Sequence, residues 1–272
     1  MLRFSVFLFV TILAALPAIA ECQLRSVWRG ANVASYLPHA HACLENPGAD
    51  IWFDSAVEEE MLGRINEERT NAGLPPLELR TELIAPARLH SFDMAQEDFF
   101  DHEGPDGRVA GHRISALDRT LIFSEVRENI ARLGGDLDYT STGWLLHRSL
   151  ITSEGHRENI LSPNVTHVAI GVSRRAKGAW VTQIFVRVEG TLDRPLETEL
   201  TVGAPPQLNA SLSSWRVNNY VFRDRDGAEY APDDPVAGYS DDLDLIVVGE
   251  RRIDERRISQ IKLKGPSVTP LP

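Results

Sequence analysis

The apolar positions change period along the chain. From Ser55, Val57, Met61 and Ile65 recur every four residues with Leu62 beside them, the spacing of one helical face. Ser55 and Glu58 read as a Ser-x-x-Glu capping box opening this helix, and Gly73 with the prolines of NAGLPP closes it. A second helix is expected from about Thr81 to Phe100. Pro86 is tolerated near its start, and Ala87, His90, Met94 and Ala95 form its inner face. Shorter helical stretches follow around Gly111–Leu117, around Tyr139–Ile151 and after Ser153, the last stopped by Pro163. The period then drops to that of strands in HVAIGVS and AWVTQIFVRV, joined by RRAKG as a hairpin. Helices flanking an antiparallel sheet imply an α+β fold built as an αβα sandwich, over residues 54–190.

The flanks differ. Residues 21–53 carry no sustained period and read as an irregular N-terminal segment. It contains His39 and His41, a pair more often solvated than metal-bound. After Arg194, GAPPQL, the turn RDRDG and the strand-like runs DLDLIVVG and ISQIKLKG imply a small β-rich unit over residues 196–272, expected to be separable. Its acidic stretch DDPVAGYSDDLD lacks the EF-hand spacing for Ca²⁺ and reads as a solvated loop.

Composition narrows the function classes. A hydrophobic content of 43% with 25% charged residues is that of a globular protein, and a net charge of -11 argues against nucleic acid. Residues 1–20 pair Arg3 with an apolar core and end Ala18-Ile19-Ala20, the pattern of a signal peptide cleaved after Ala20. A membrane anchor fits less well, because Pro17 breaks the apolar run and Glu21 follows at once. A secreted or periplasmic location is implied, with no membrane span once the leader is removed. The chain has two cysteines, Cys22 and Cys43, which an oxidising compartment would allow to close one loop.

Several chemistries are excluded by motif. There is no G-x-S-x-G elbow and no Walker loop, and HEGPD opens like a zincin at His102-Glu103 but places Asp106 where the second histidine belongs. What remains is an ordered set: ARLHSFDMA with His90, FFDHEGPDG, ENIA with Glu128, Trp144, SEGHRENIL with His156, AIGV and WVTQIFV. Taken singly, His90 on an apolar stripe reads as a core histidine, Glu128 as a surface acid, and His156 at a helix start as ambiguous. The positive end of the helix dipole there favours a neutral imidazole, the form that ligates metals or accepts protons.

Together and in this order, over roughly Asp54 to Val188, the segments resemble the CAP superfamily (cysteine-rich secretory, antigen 5, pathogenesis-related) in its bacterial secreted form. The resemblance implies a central cleft shared by His90, Glu128 and His156. The family's second acid falls at His147, with Glu154 as a conceivable substitute, so the fourth position departs from the pattern. It further implies that His90 and His156 hold a divalent cation such as Zn²⁺ or Mg²⁺, with Glu128 orienting an imidazole or a water. His102 is expected to brace the cleft-side loop, and Ser153 to cap the short helix. Three functions compete. The first is a module that binds a small molecule, lipid, cell-envelope or peptide ligand. The second is a metal-assisted hydrolase using Glu128 as general base, and the third is a structural or interaction domain. The first is favoured, since the chain offers no evident nucleophile.

Overall fold

The computed structural model describes residues 22, 31–137, 141–201, 204–233 and 241–271. The leader, its cleavage after Ala20 and much of the acidic stretch fall outside them. One mostly antiparallel sheet organises the molecule. Numbered in chain order, its strands run β1 (Trp52–Phe53), β4 (His167–Arg175), β5 (Gly178–Leu192), β3 (Leu121–Gly134), β11 (Ile258–Leu271), β10 (Leu243–Arg252), β8 (Arg216–Arg223) and β9 (Glu229–Tyr230). Short β2 (Glu78–Leu79) pairs with β4, β6 (Glu199–Thr201) with β11, and β7 (Ala210–Leu212) with β5.

Period-two alternation splits the central strands into two apolar faces. Val168, Ile170 and Val172 of β4 and Val181 and Phe185 of β5 pack with α2 (Ser55–Asn71), α5 (Thr142–Ile151) and α6 (Glu154–Ile160), through Met61, Ile65, Leu146, Leu150 and Ile160. Ala169, Ile184 and Val186 point the other way, against Ala87 of α3 (Ile84–Glu97) and Ile114 of α4 (Ala110–Leu117). The αβα sandwich is therefore as expected, and the β4–β5 hairpin forms with only Ala176 and Lys177 between its strands. α3 lies so close to β4 that a Cβ at Gly171 would meet the Arg88 nitrogen at 2.2 Å. Only glycine permits that approach.

Local expectations shift in instructive ways. The cap of α2 is Asp54, which accepts the Val57 N–H at 3.2 Å, so the Ser55/Glu58 box does not form. Glu58 accepts instead from the Arg88 guanidinium at 2.8 and 2.6 Å and from the Val172 N–H at 3.0 Å, tying α2, α3 and β4 together. The helix expected to reach Phe100 ends at Glu97, where Asp98 turns left-handed at φ 53°. The segment expected to be irregular holds α1 (Val33–Glu45), capped by Asn32. His39 and His41 are two positions apart on that helix and so diverge, which disposes of them as a ligand pair. Cys22 and Cys43 form the expected disulfide, pinning the chain N-terminal of α1 to its last turn.

The largest correction concerns the C-terminal strands. They are β-rich as read, but they are not a unit apart. Lys264 of β11 pairs with Phe123 of β3, and β7 pairs with β5. Ile122 and Leu192 share one apolar cluster with Leu243, Leu263 and Val268. Arg119 donates to the carbonyls of Ser267, Leu196 and Glu197 at 2.7, 3.0 and 2.8 Å. At the far end, Asp242 accepts the Val33 N–H at 2.9 Å and Thr269 accepts the Ala34 N–H at 3.1 Å, so the last strands cap the first helix. Composition changes at Arg194, but the sheet continues across that point.

Two outcomes follow. Ending the chain at Arg194 should abolish cooperative unfolding by calorimetry, and a protease-resistant core ending between Val188 and Pro206 would contradict this. Asp242→Ala should cost about 1 kcal/mol in urea denaturation, as losses of helix caps do.

Candidate functional site

The site is built around one buried carboxylate. Glu128 sits in the middle of β3, opposite Ile184 of β5, and alternation aims it at the α3/α4 face. A buried carboxylate in such a place must be compensated. Arg113 of α4 does this, donating Nη2 to Glu128 Oε2 while its Nη1 donates to the Arg108 carbonyl at 2.6 Å and the His102 carbonyl at 3.3 Å. His102 donates Nδ1–H to Glu128 Oε1 at 2.8 Å, from the loop between α3 and α4. Both carboxylate oxygens are thus taken.

That loop is held firmly. Arg108 pairs with Asp106 at 2.7 Å and stacks on the Tyr36 ring at 4.1 Å, and the Gly107 N–H donates to the Gly104 carbonyl at 2.9 Å. Behind it lies His90, fully buried, with Nε2 donating to the Asp101 carbonyl at 2.9 Å and lying 3.9 Å from Glu128 Oε1. The Nε2 bond assigns the proton to that nitrogen and leaves Nδ1 bare and buried.

The electrostatics follow from these contacts. Burial, reinforced by the Arg113 charge, lowers the His90 pKa to about 4, so its ring is neutral across the physiological range. His102 moves upward because its hydrogen bond to Glu128 favours the charged ring. For Glu128, burial pushes upward, but the Arg113 charge and the His102 bond outweigh it and hold the carboxyl below its ordinary value.

Of the residues expected to share a cleft, His90 and Glu128 come together. His156 lies on α6, which is fastened to β3 through backbone and amide groups: Asn129 Nδ2 donates to the His156 carbonyl at 3.0 Å, and Asn159 donates to Asn129 Oδ1 at 2.8 Å. Its ring is lowered in pKa first by burial and then by the charge of His102, with no carboxylate acting on it. His102 is therefore the group between the two halves. Its sequence context gave it only a bracing role, yet it makes the shortest imidazole contact to Glu128. Ser153 stands at the N-cap of α6 without a side-chain cap bond. His147, at the position of the family's second acid, faces Glu68 of α2 at 3.7 Å. Glu154 is exposed and lines a surface hollow of about 630 Å³ with Arg127, Arg157 and Asn164.

His90 Nε2 is committed to Asp101 and both Glu128 oxygens are paired, while the Nδ1 atoms of His90 and His156 are buried without a hydrogen-bond partner. Among the described residues no three His, Cys, Asp or Glu side chains converge as a metal-binding group. Sequence reasoning also missed Arg113. Its only signal was an arginine on a short helix preceding an acid-bearing segment, which is too common to notice.

Two measurements test the network. Arg113→Ala leaves a buried carboxylate uncompensated and should cost about 3–5 kcal/mol at neutral pH, less once acid protonates Glu128. In an NMR titration His90 should protonate near pH 4 and His102 above an ordinary histidine. The signs differ. The stability from neutral His90 is complete above about pH 6.5 and lost as pH falls toward its folded value. That from His102 is present below about 6.5 and lost as pH rises through its raised pKa.

With this geometry in hand, comparison with known proteins is informative. Residues 62–185 match the model of the CAP family, the cysteine-rich secretory protein family. The chain is similar to the uncharacterized protein YkwD of Bacillus subtilis (strain 168), 32% identical over 132 residues, which are 48% of each chain. It is also similar to the uncharacterized membrane protein YlbC of the same organism, 30% identical over 135 residues covering 50% of this chain and 36% of that one. The match thus spans about half or less of these relatives' own length. Among solved structures, an extracellular SCP-domain protein of Bacillus anthracis str. Ames is 27% identical, covering 49% of this chain and 41% of that one, with a TM-score of 0.44.

Proposed function

The protein is a member of the CAP superfamily, of the kind found in bacteria, and from that premise we propose that it is an exported ligand-binding module. It would capture a lipid, cell-envelope or peptide ligand at the Glu128 cleft. One observation carries the reading: the ionisable groups that could do acid–base work there are already engaged by the protein. Glu128 is held ionised by Arg113 and His102, which makes it a poor general base. His90 is fully buried and bonded to backbone. What remains open to a ligand is the outer edge of His102, whose side chain is 53% exposed, and Phe100, 42% exposed beneath the Arg132 guanidinium at 5.1 Å. An exposed aromatic ring two positions from an exposed imidazole offers a ligand both apolar and polar contact.

The same occupancy weighs against hydrolysis routed through Glu128, and a resident ion forms no part of this reading. Export is supported by the Cys22–Cys43 disulfide, a bond of oxidising compartments, and by the leader pattern of residues 1–20. No helix among the described residues is long and apolar enough to cross a membrane.

Native mass spectrometry of protein purified from its own compartment should reveal a co-purifying ligand. His102→Ala and Phe100→Ala should each weaken its binding roughly tenfold, the effect of truncating a contact hot spot, and Phe100→Ala should leave the thermal midpoint unchanged. Turnover of that ligand, abolished by Glu128→Gln, would instead establish the hydrolase.

A further inference from the structure

The β10–β11 hairpin lies outside the CAP match and ends in a repeated sequence, Glu250-Arg251-Arg252-Ile253 and Glu255-Arg256-Arg257-Ile258 around Asp254. The tip is well ordered. The Ile253 N–H donates to the Arg257 carbonyl at 2.9 Å, and Asp254 Oδ1 accepts the N–H groups of Arg256 and Arg257, both at 2.9 Å. The last cross-strand pair, Arg252 with Ile258, sets apolar and cationic side chains side by side.

Three features of this tip are unexplained by folding. Ile253 and Ile258 are 49% and 58% exposed, the most exposed of the large hydrophobic side chains among the described residues. Trp215 lies against Gly249, a few residues back from the turn, with the Arg251 guanidinium over its ring at 4.6 Å. The charges are also lopsided. Glu250 pairs with Arg216 and Asp254 with Arg257, which leaves Arg251, Arg252 and Arg256 against Glu255. The tip is cationic on a chain whose net charge is -11.

We propose that this hairpin docks the protein onto an anionic lipid surface. The two isoleucines enter the boundary between headgroups and acyl chains, the arginines not paired with a carboxylate meet lipid phosphates, and Trp215 sits at headgroup depth, where amphipathic rings are favoured. A soluble polyanion would satisfy the arginines but give the isoleucines nothing, so a lipid surface accounts for both. Charge complementarity also sets the orientation. The acidic body is repelled by an anionic surface while the tip is attracted, so the protein stands on the hairpin. Docking is reversible, as expected for a few basic residues and two apolar side chains.

Cosedimentation of the exported protein with phosphatidylglycerol-containing vesicles, against pure phosphatidylcholine vesicles, tests this. Binding is expected only to the anionic vesicles and should fall as salt rises. At roughly fivefold per basic residue, Arg251→Gln/Arg252→Gln/Arg256→Gln should weaken it about a hundredfold. Ile253→Ser/Ile258→Ser should weaken it at least about tenfold. Both sets of changes are on the surface and should leave the thermal midpoint unmoved. Absence of vesicle binding, or equal binding by all variants, overturns the proposal. So does binding to inorganic polyphosphate in solution that the isoleucine variant retains in full alongside its vesicle binding, since that would make the tip a polyanion site.

Discussion

A carboxylate nearly shut off from water has to be neutralised, and the cleft is organised by that need. The Glu128 side chain is only 5% exposed at the centre of β3, so a cation must come to it. Arg113 supplies the cation and, through its second nitrogen, also fastens the loop between α3 and α4. His102 takes the other carboxylate oxygen from the same loop, and His90 donates its one hydrogen bond to the Asp101 carbonyl beside it. Two helices and the intervening loop are therefore held in place by one ionised side chain. Leaving such a charge unpaired is among the costliest changes a small domain can suffer.

The second constraint is steric. α3 rests on β4 at Gly171, with a hydrogen bond between Ser91 and Ser173 alongside. That contact fixes the height of α3 above the sheet, and with it the depth of His90. Packing and electrostatics act here on the same helix: the close approach buries the imidazole, and burial keeps it neutral.

Much of the layered core was legible from periodicity. α2, the β4–β5 hairpin and the β-rich character of the C-terminal region follow from apolar spacing and turn residues. β3 was not legible, because LIFSEVRENIARLG interleaves Glu125, Arg127, Glu128 and Arg132 with its apolar positions, and the match of Glu128 with Arg113 of α4 is one that the local pattern does not reveal. α1 was hidden by Pro38 in its interior and by a cap of Asn32 that no acidic first turn reinforces. The order of motifs led to His90 and Glu128. It could not show how α6, which carries His156, is fastened to β3 through Asn129 and Asn159. The integration of the C-terminal strands escaped for a related reason. A composition shift marks a change in local preference, whereas domain separation is decided by contacts between distant parts of the chain.

The capping of α1 by Asp242 and Thr269 links groups 209 and 235 positions apart in sequence. Synthesis produces α1 early, yet its first two N–H groups gain these partners only when the last strands have been made. A chain wired in this way cannot finish its first described helix until its final residues arrive. Long-range contacts delay folding, and here the delay lasts until synthesis is nearly complete.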